Sequence, residues 1–389
     1  RALSPYMMFF PVMMVIAVMS MASHTVGGGS QVGELNEDRK DYLRYLGIQR
    51  QIVQKTGRQQ HAARSWHNPE LAFLPSLAVS PRKWERSPAS TNFAQTRVGL
   101  GTEKLATKLV PPEAAPVDNL EPVAARFLKR FVDTHKNQTS IPLAVALGTY
   151  PYITISDSDG KTARGLVRSM LLQLTLFHGP EHLLVVVITD QPDDPLWSWV
   201  KWLPHNQHPT ATDALGTARM VYPDTSTAHE ALRVLLGNRQ AHKKDAATAV
   251  SPHVVIVSDR PNPLTPPTKL IGRDGVEGVT LIDLQAADPA PTGAANDDIK
   301  PFKFTICDGL LYVADARGVQ TKFAVPDHAS VSFAADCARI LSRYRPASEV
   351  DVLEQRLTRK VVRGGPWQQL GITDVATADP ASNGLRPVS

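Results

Sequence analysis

Two short runs constrain this chain most. Residues 183–189 read Leu-Leu-Val-Val-Val-Ile-Thr and residues 253–258 read His-Val-Val-Ile-Val-Ser, continuous rather than alternating in apolar character. A strand with one face in water alternates, so a strand apolar at every position must be covered on both faces, as in a parallel sheet sandwiched by helices. Further strands are expected at 141–147, 152–155 and 279–284. Helices are expected at 120–135, capped by Asp118 or Asn119, and at 162–177 and 228–236. Segments 302–306, 310–314 and 320–324 read as a small antiparallel excursion, and 330–344 as a last helix. The 31 prolines in 389 residues argue against an all-helical bundle. The expected fold is α/β, a Rossmann-like or P-loop-like parallel sheet flanked by helices, spanning 117–346.

The region before that body reads differently. No charged side chain occurs from Tyr6 to Val26. A span needs about 20 residues to cross the hydrocarbon core, so 1–26 is expected to be a transmembrane helix. A secretory signal is the competing reading, opposed by the lack of a small-residue cleavage site. Because the sequence opens on Arg1, residues are expected upstream, with room for another span. Gly27, Gly28, Gly29 and Gly33 form an expected joint over 27–33. A charged helical stalk follows over 34–66, with Glu34, Glu37 and Asp38 early and Arg50, Lys55, Arg58 and Arg64 late, matching the helix dipole. Tyr42, Leu46 and Val53 make a narrow apolar seam along it, which suits either pairing with another helix or lying on the chain's own domain. Segment 67–116 reads as a leading subdomain with short strands at 96–100 and 105–110. Segment 347–389 reads as a linker with a short helix at 350–358.

Charge and cysteine content narrow the partners. The excess of 42 basic over 37 acidic side chains is small. No long Lys/Arg run supports nucleic-acid binding, and anionic lipid accounts for the excess equally well. Cys307 and Cys337 lack metal-site spacing and read as small apolar residues of a reducing compartment. No metal site is expected: His205 and His208 are three apart, with no cluster to complete a ligand set.

Two constellations bear on function. Ser156-Asp157-Ser158-Asp159-Gly160-Lys161-Thr162 lies between a strand and a helix, where a phosphate-binding loop of the form GxxxxGK[ST] belongs. Ile155 occupies the first glycine position, and Asp157 with Asp159 would set carboxylates beside a polyanion. Asp259 follows an apolar strand as a metal-holding carboxylate would, but Arg260 stands where hydrolytic enzymes of this sort keep a Glu. Gly160, Lys161, Thr162 and Asp259 are therefore candidates for a degenerate nucleotide site, with no catalytic residue assigned. Trp197, Trp199 and Trp202 crowd one loop, as interface anchors or as packing against the sheet edge.

These residues together resemble the EccC proteins, FtsK/SpoIIIE-like subunits of type VII (ESX) secretion systems. The resemblance rests on the apolar span, on Glu34 to Leu46, Trp84-Glu85-Arg86, Arg97-Val98-Gly99-Leu100-Gly101, Leu120-Glu121-Pro122-Val123, Trp197 to His205, Ala218-Arg219-Met220-Val221-Tyr222 and Gly278-Val279-Thr280. It implies the amino-terminal part of a motor: membrane spans, a stalk and a degenerate P-loop-ATPase-like domain, with ATP and Mg in modules beyond residue 389. It further implies EccB, EccD and EccE as partners at the inner membrane, self-association in a larger complex, a cytoplasmic stalk and α/β domain, and secretion of WXG-type proteins through the later modules. A regulatory nucleotide-binding domain and, by relation to FtsK alone, DNA translocation are the alternatives.

Overall fold

The computed structural model describes residues 31–109, 122–157, 160–214, 216–243, 250–260, 266–272, 274–286, 302–314 and 319–344. The expected span at 1–26, the joint up to residue 30, and the linker 347–389 with its helix at 350–358 lie outside the described residues. Among those described, no helix is long and apolar enough to cross a membrane.

The first element is α1, Gln31–His67. It begins inside the expected joint, so Gly33 is helical. Next come the short α2 (Leu74–Ala78) and strand β1 (Gln95–Lys104). Residues 105–109 are not a strand, contrary to expectation; Leu105 instead donates its N–H to Lys136 O at 2.8 Å. Helix α3 (Pro122–His135), β2 (Asn137–Ala146), β3 (Tyr152–Asp157), α4 (Lys161–Phe177) and β4 (Leu183–Thr189) follow. After the one-turn α5 (Pro195–Ser198) comes a two-stranded hairpin, β5 (Gln207–Asp213) and β6 (Gly216–Arg219), which the sequence reading missed. The chain continues through β7 (Val221–Tyr222), α6 (Thr225–Leu236), β8 (His253–Asp259), β9 (Val279–Ala286), β10 (Phe302–Cys307), β11 (Leu310–Ala314), β12 (Gln320–Pro326) and α7 (Val331–Leu341). Helix starts are set by side-chain caps: Asp224 accepts from Thr227 N at 2.7 Å and Ser330 from Phe333 N at 3.1 Å.

One ten-stranded sheet runs in the order β2-β1-β12-β11-β10-β3-β9-β8-β4-β7. The six strands from β10 to β7 are parallel, and the other four join antiparallel. The antiparallel excursion and the leading strand are therefore continuous with the main sheet, not set apart from it. A buried ion pair of Arg97 on β1 with Asp327 just after β12 (2.7 Å) helps hold that junction.

The continuous apolar strands behave as their composition demands. Every residue of β4 and β8 is buried. Val185, Val187, Val255 and Val257 face a core shared with α4, α7 and the tryptophan loop, whereas Leu184, Val186, Val254 and Ile256 face a second core with α6, Leu270 and Ile271. Period-two side-chain direction thus splits one apolar run between two cores.

Candidate functional site

In an open α/β sheet the ligand crevice lies beyond the carboxyl ends of the strands, where the order reverses. Here that place is β3, flanked by β9 and β10, with Asp157 at its end. Gly160 turns the chain into α4 with φ 67°, a left-handed conformation that glycine adopts without strain, and Lys161 and Thr162 open the helix. Strand, turn and helix are thus arranged as a phosphate loop would be. The filling differs. Asp157 Oδ2 accepts a hydrogen bond from Ala163 N at 2.9 Å, so a carboxylate of the chain itself takes an amide of the helix end that would otherwise serve an anion. Ile155, at the first glycine position, is fully buried within β3 and pairs with Phe304 and Leu284. The strand therefore runs straight through the point where a phosphate loop must already be turning.

At the end of β8, Asp259 is similarly occupied. Its carboxylate accepts from Arg164 Nε (2.8 Å) and Nη2 (3.0 Å), and from Trp197 Nε1 (2.6 Å). The bidentate guanidinium of α4 thus sits where a metal cation would have to approach. The hydrogen bond to Asp259 raises the Arg164 pKa against the opposing effect of burial. Arg260 pairs with Asp190. One turn along α4, Arg168 donates Nε to Ala329 O at 2.8 Å, fastening the helix to the segment before α7.

The three tryptophans separate. Trp197 and Trp199 are 1% and 2% exposed and belong to the core, so neither presents a surface anchor in this fold. Trp202 is 41% exposed, flanked by the cations of Lys201 and Arg339. His205 is fully buried, its Nε2 2.7 Å from His178 O, and His208 Nδ1 accepts from Ala211 N at 2.9 Å. Among the described residues no group of three or more His, Cys, Asp or Glu is placed to hold a metal. The stalk seam is also taken up within the chain. Tyr42 and Leu46 pack on Ala124 and Leu128 of α3, Val53 is buried farther along, and Arg64 pairs with Glu103 of β1. Lying on its own domain is the arrangement found for α1, because α3 covers the narrow seam that a second chain would need.

No family model matches the chain. It is 35% identical over 338 residues, 85% of its length, to the ESX secretion system protein EccC of Thermomonospora curvata. It is 34% identical over 379 residues, 97% of its length, to the ESX-4 secretion system protein EccC4 of Mycobacterium tuberculosis. The chain belongs to the EccC family. It spans about a quarter of these relatives, 25% and 26% of their respective lengths. Among solved structures, ATPases 2 and 3 of T. curvata EccC match 64% of this chain and 44% of that one at TM-score 0.38 and 12% identity. ATPases 2 and 3 of Geobacillus thermodenitrificans EssC match 68% and 51% at TM-score 0.39 and 10% identity.

In this EccC-family chain the sequence reading missed two elements of the site. Arg164 lies three residues beyond Lys161, and nothing local marks it as the partner of a residue 95 positions away. The second is Trp84-Glu85-Arg86, quoted above for resemblance alone. Trp84 and Arg86 donate their backbone N–H groups to Leu176 O (2.9 Å) and Phe177 O (2.8 Å), satisfying carbonyls at the end of α4. Trp84 Nε1 adds a bond to Thr175 O at 3.2 Å. The Arg86 guanidinium lies 4.2 Å from the Phe177 ring centre and donates to Gln95 O and His67 O; burial pushes its pKa down to about 10. The helix bearing the GKT residues is thereby held at both ends.

Proposed function

We propose that this chain serves type VII secretion as a membrane-anchored, non-catalytic coupling segment of an EccC-type motor. The observation that carries the reading is the filled site: Asp157 on the helix end, with Arg164 and Trp197 on Asp259. A domain with the layout of a nucleotide site but with its strand-end carboxylates already engaged by the chain itself is suited to transmitting movement. In this reading the run at 1–26 crosses the inner membrane, the stalk and α/β domain lie in the cytoplasm, and EccB, EccD and EccE surround the anchor. ATP and Mg act in modules beyond residue 389, where WXG-type proteins engage. Packing of α1 on α3 and its ion pair to β1 carry displacement of the sheet into the stalk. Trp202, exposed and flanked by cations, is available to neighbouring subunits.

A regulatory nucleotide-binding domain is the second reading, favoured by the preserved turn at Gly160 with Lys161 and Thr162 behind it. Calorimetric titration of the chain with ATP, with and without magnesium and beside Lys161→Ala, decides between them. The coupling reading expects no saturable heat at millimolar ATP that depends on Lys161. Saturable binding that Lys161→Ala abolishes overturns it and establishes the nucleotide domain.

A further inference from the structure

Away from the filled site, a cavity of about 560 Å³ opens between the second half of α1, the end of α3 and the start of β2. That volume is in the range of small-molecule pockets. Its lining includes Gln54, Arg58 and His61 of α1, His135 closing α3, and Asn137 and Gln138 of β2, together with Thr134 and Thr139. None of its lining residues is a carboxylate. The nearby acids are engaged elsewhere, Asp133 with Lys136 at 2.8 Å, and Glu103, the cross-strand neighbour of Gln138, with Arg64 and with Gln60 Nε2 at 3.2 Å. Arg58 is exposed and, among the described residues, pairs with no carboxylate; its Nε makes one long bond, 3.4 Å, to Gln54 O. His135 Nε2 is buried without a partner. The two walls meet at Gly57, where the Gln138 amide lies close against α1: a Cβ there would fall 2.6 Å from Gln138 Oε1 and push that side chain aside.

We infer that this cavity binds a soluble, phosphate-bearing small molecule of about nucleotide size, held chiefly by the Arg58 guanidinium with amide and hydroxyl donors around it. A planar fork without a carboxylate partner matches phosphate oxygens bidentately, and amides and hydroxyls satisfy the remaining acceptors. The carboxyl end of α3 turns partial negative charge toward the same space, which the Arg58 guanidinium has to outweigh. Lipid headgroups are the less suited source, because Arg58 lies roughly 40 Å along α1 from Gln31, the end nearer the expected span. The inference does not rest on the filled site, which lies on different residues, although the cavity adjoins the α1–α3 packing through which the coupling role is proposed to act.

The test is calorimetric titration of the chain with pyrophosphate and with AMP, in parallel with flotation on phosphatidylserine vesicles. Saturable binding of either soluble anion, weakened about tenfold by Arg58→Ala and partly retained by Arg58→Lys, is expected. Arg58 is exposed on a helix, so an unchanged circular dichroism spectrum will show that the variants fold. Binding that Arg58→Ala leaves intact, absence of binding to both anions, or Arg58-dependent flotation without soluble binding would each overturn the inference. The Lys161→Ala titration reads the filled site separately, so failure of one proposal leaves the other standing.

Discussion

Helices α1 and α4 are the two longest described, at 37 and 17 residues, and they are held in opposite ways. Helix α1 buries a narrow seam and leaves Leu43, Ile48 and Ile52 between 43% and 54% exposed, with ion pairs such as Lys40–Glu37 in solvent. Helix α4 is buried at every position from Gly165 to Phe177. Its polar side chains there turn to backbone oxygens: Arg168 to Ala329, Ser169 to Leu166, Gln173 to Pro69 and Thr175 to Leu171. The difference teaches that a helix contributes according to what covers it, not according to its length. The covering of α4 comes from the sheet, α7 and the clamp at Trp84 to Arg86, whereas that of α1 comes mainly from α3 and the β1–β2 edge.

The largest expected effect follows from that contrast. Leu171→Ala in α4 removes a fully buried side chain from a close-packed core and should cost about 3–5 kcal/mol, measured from urea unfolding. Leu46→Ala in α1, 7% exposed and facing a small cluster, should cost about 1–2 kcal/mol in the same measurement. Equal losses would break the comparison and make the stalk a full part of the core.

A second effect, intermediate in size, arises where α4 ends. His178 is fully buried, and as a neutral ring it donates Nδ1–H to Leu174 O at 2.8 Å and accepts from Ala94 N at 3.0 Å, so a second ring proton would lose the Ala94 bond. Burial, the largest cause, lowers its pKa from 6.5 to about 3. His205 and His253 fall to about 4 and about 3, again through burial. With folded pKa values below the unfolded one, the unfolded chain takes up protons first. Stability is therefore full above pH 6.5 and falls by about 1.4 kcal/mol per pH unit for each histidine as pH drops toward the folded values. Urea midpoints measured from pH 7.5 to 5 should decline, and His178→Gln should flatten the slope. A flat profile in the unsubstituted chain would show that these rings are not held neutral by burial.

What the sequence disclosed divides along a similar line. Strands β4 and β8 were legible because burial on both faces leaves its mark in consecutive residues. The turn into α4 was legible because Gly160 stands between a strand pattern and a helix pattern, and Ile155 is a local departure from the phosphate-loop spacing. The single ten-stranded sheet was not, since pairing β1 with β12 joins Gly99 to Pro326 and no neighbouring residue records it. Nor was the filling of Asp259, which draws Arg164 from 95 residues away and Trp197 from 62. Periodicity marks a narrow apolar face on α1 without naming its partner, and that partner is α3.

The smallest effect is expected from the charges on α1. Lys40 lies 2.6 Å from Glu37, one helical turn away, with side-chain exposures of 64% and 69%. The hydrogen bond and charge of Lys40 lower the Glu37 pKa, so the pairing is present above the ordinary carboxylate range and lost as pH falls through the depressed value. Both groups stay hydrated, and holding two long side chains together offsets most of the attraction. Lys40→Ala should therefore leave the urea midpoint unchanged at neutral pH, whether or not salt is added. A clear salt-sensitive loss would mean that surface charge, and not the seam on Ala124 and Leu128, holds α1 to the domain. In that case ionic strength would release the stalk while α4 stayed packed.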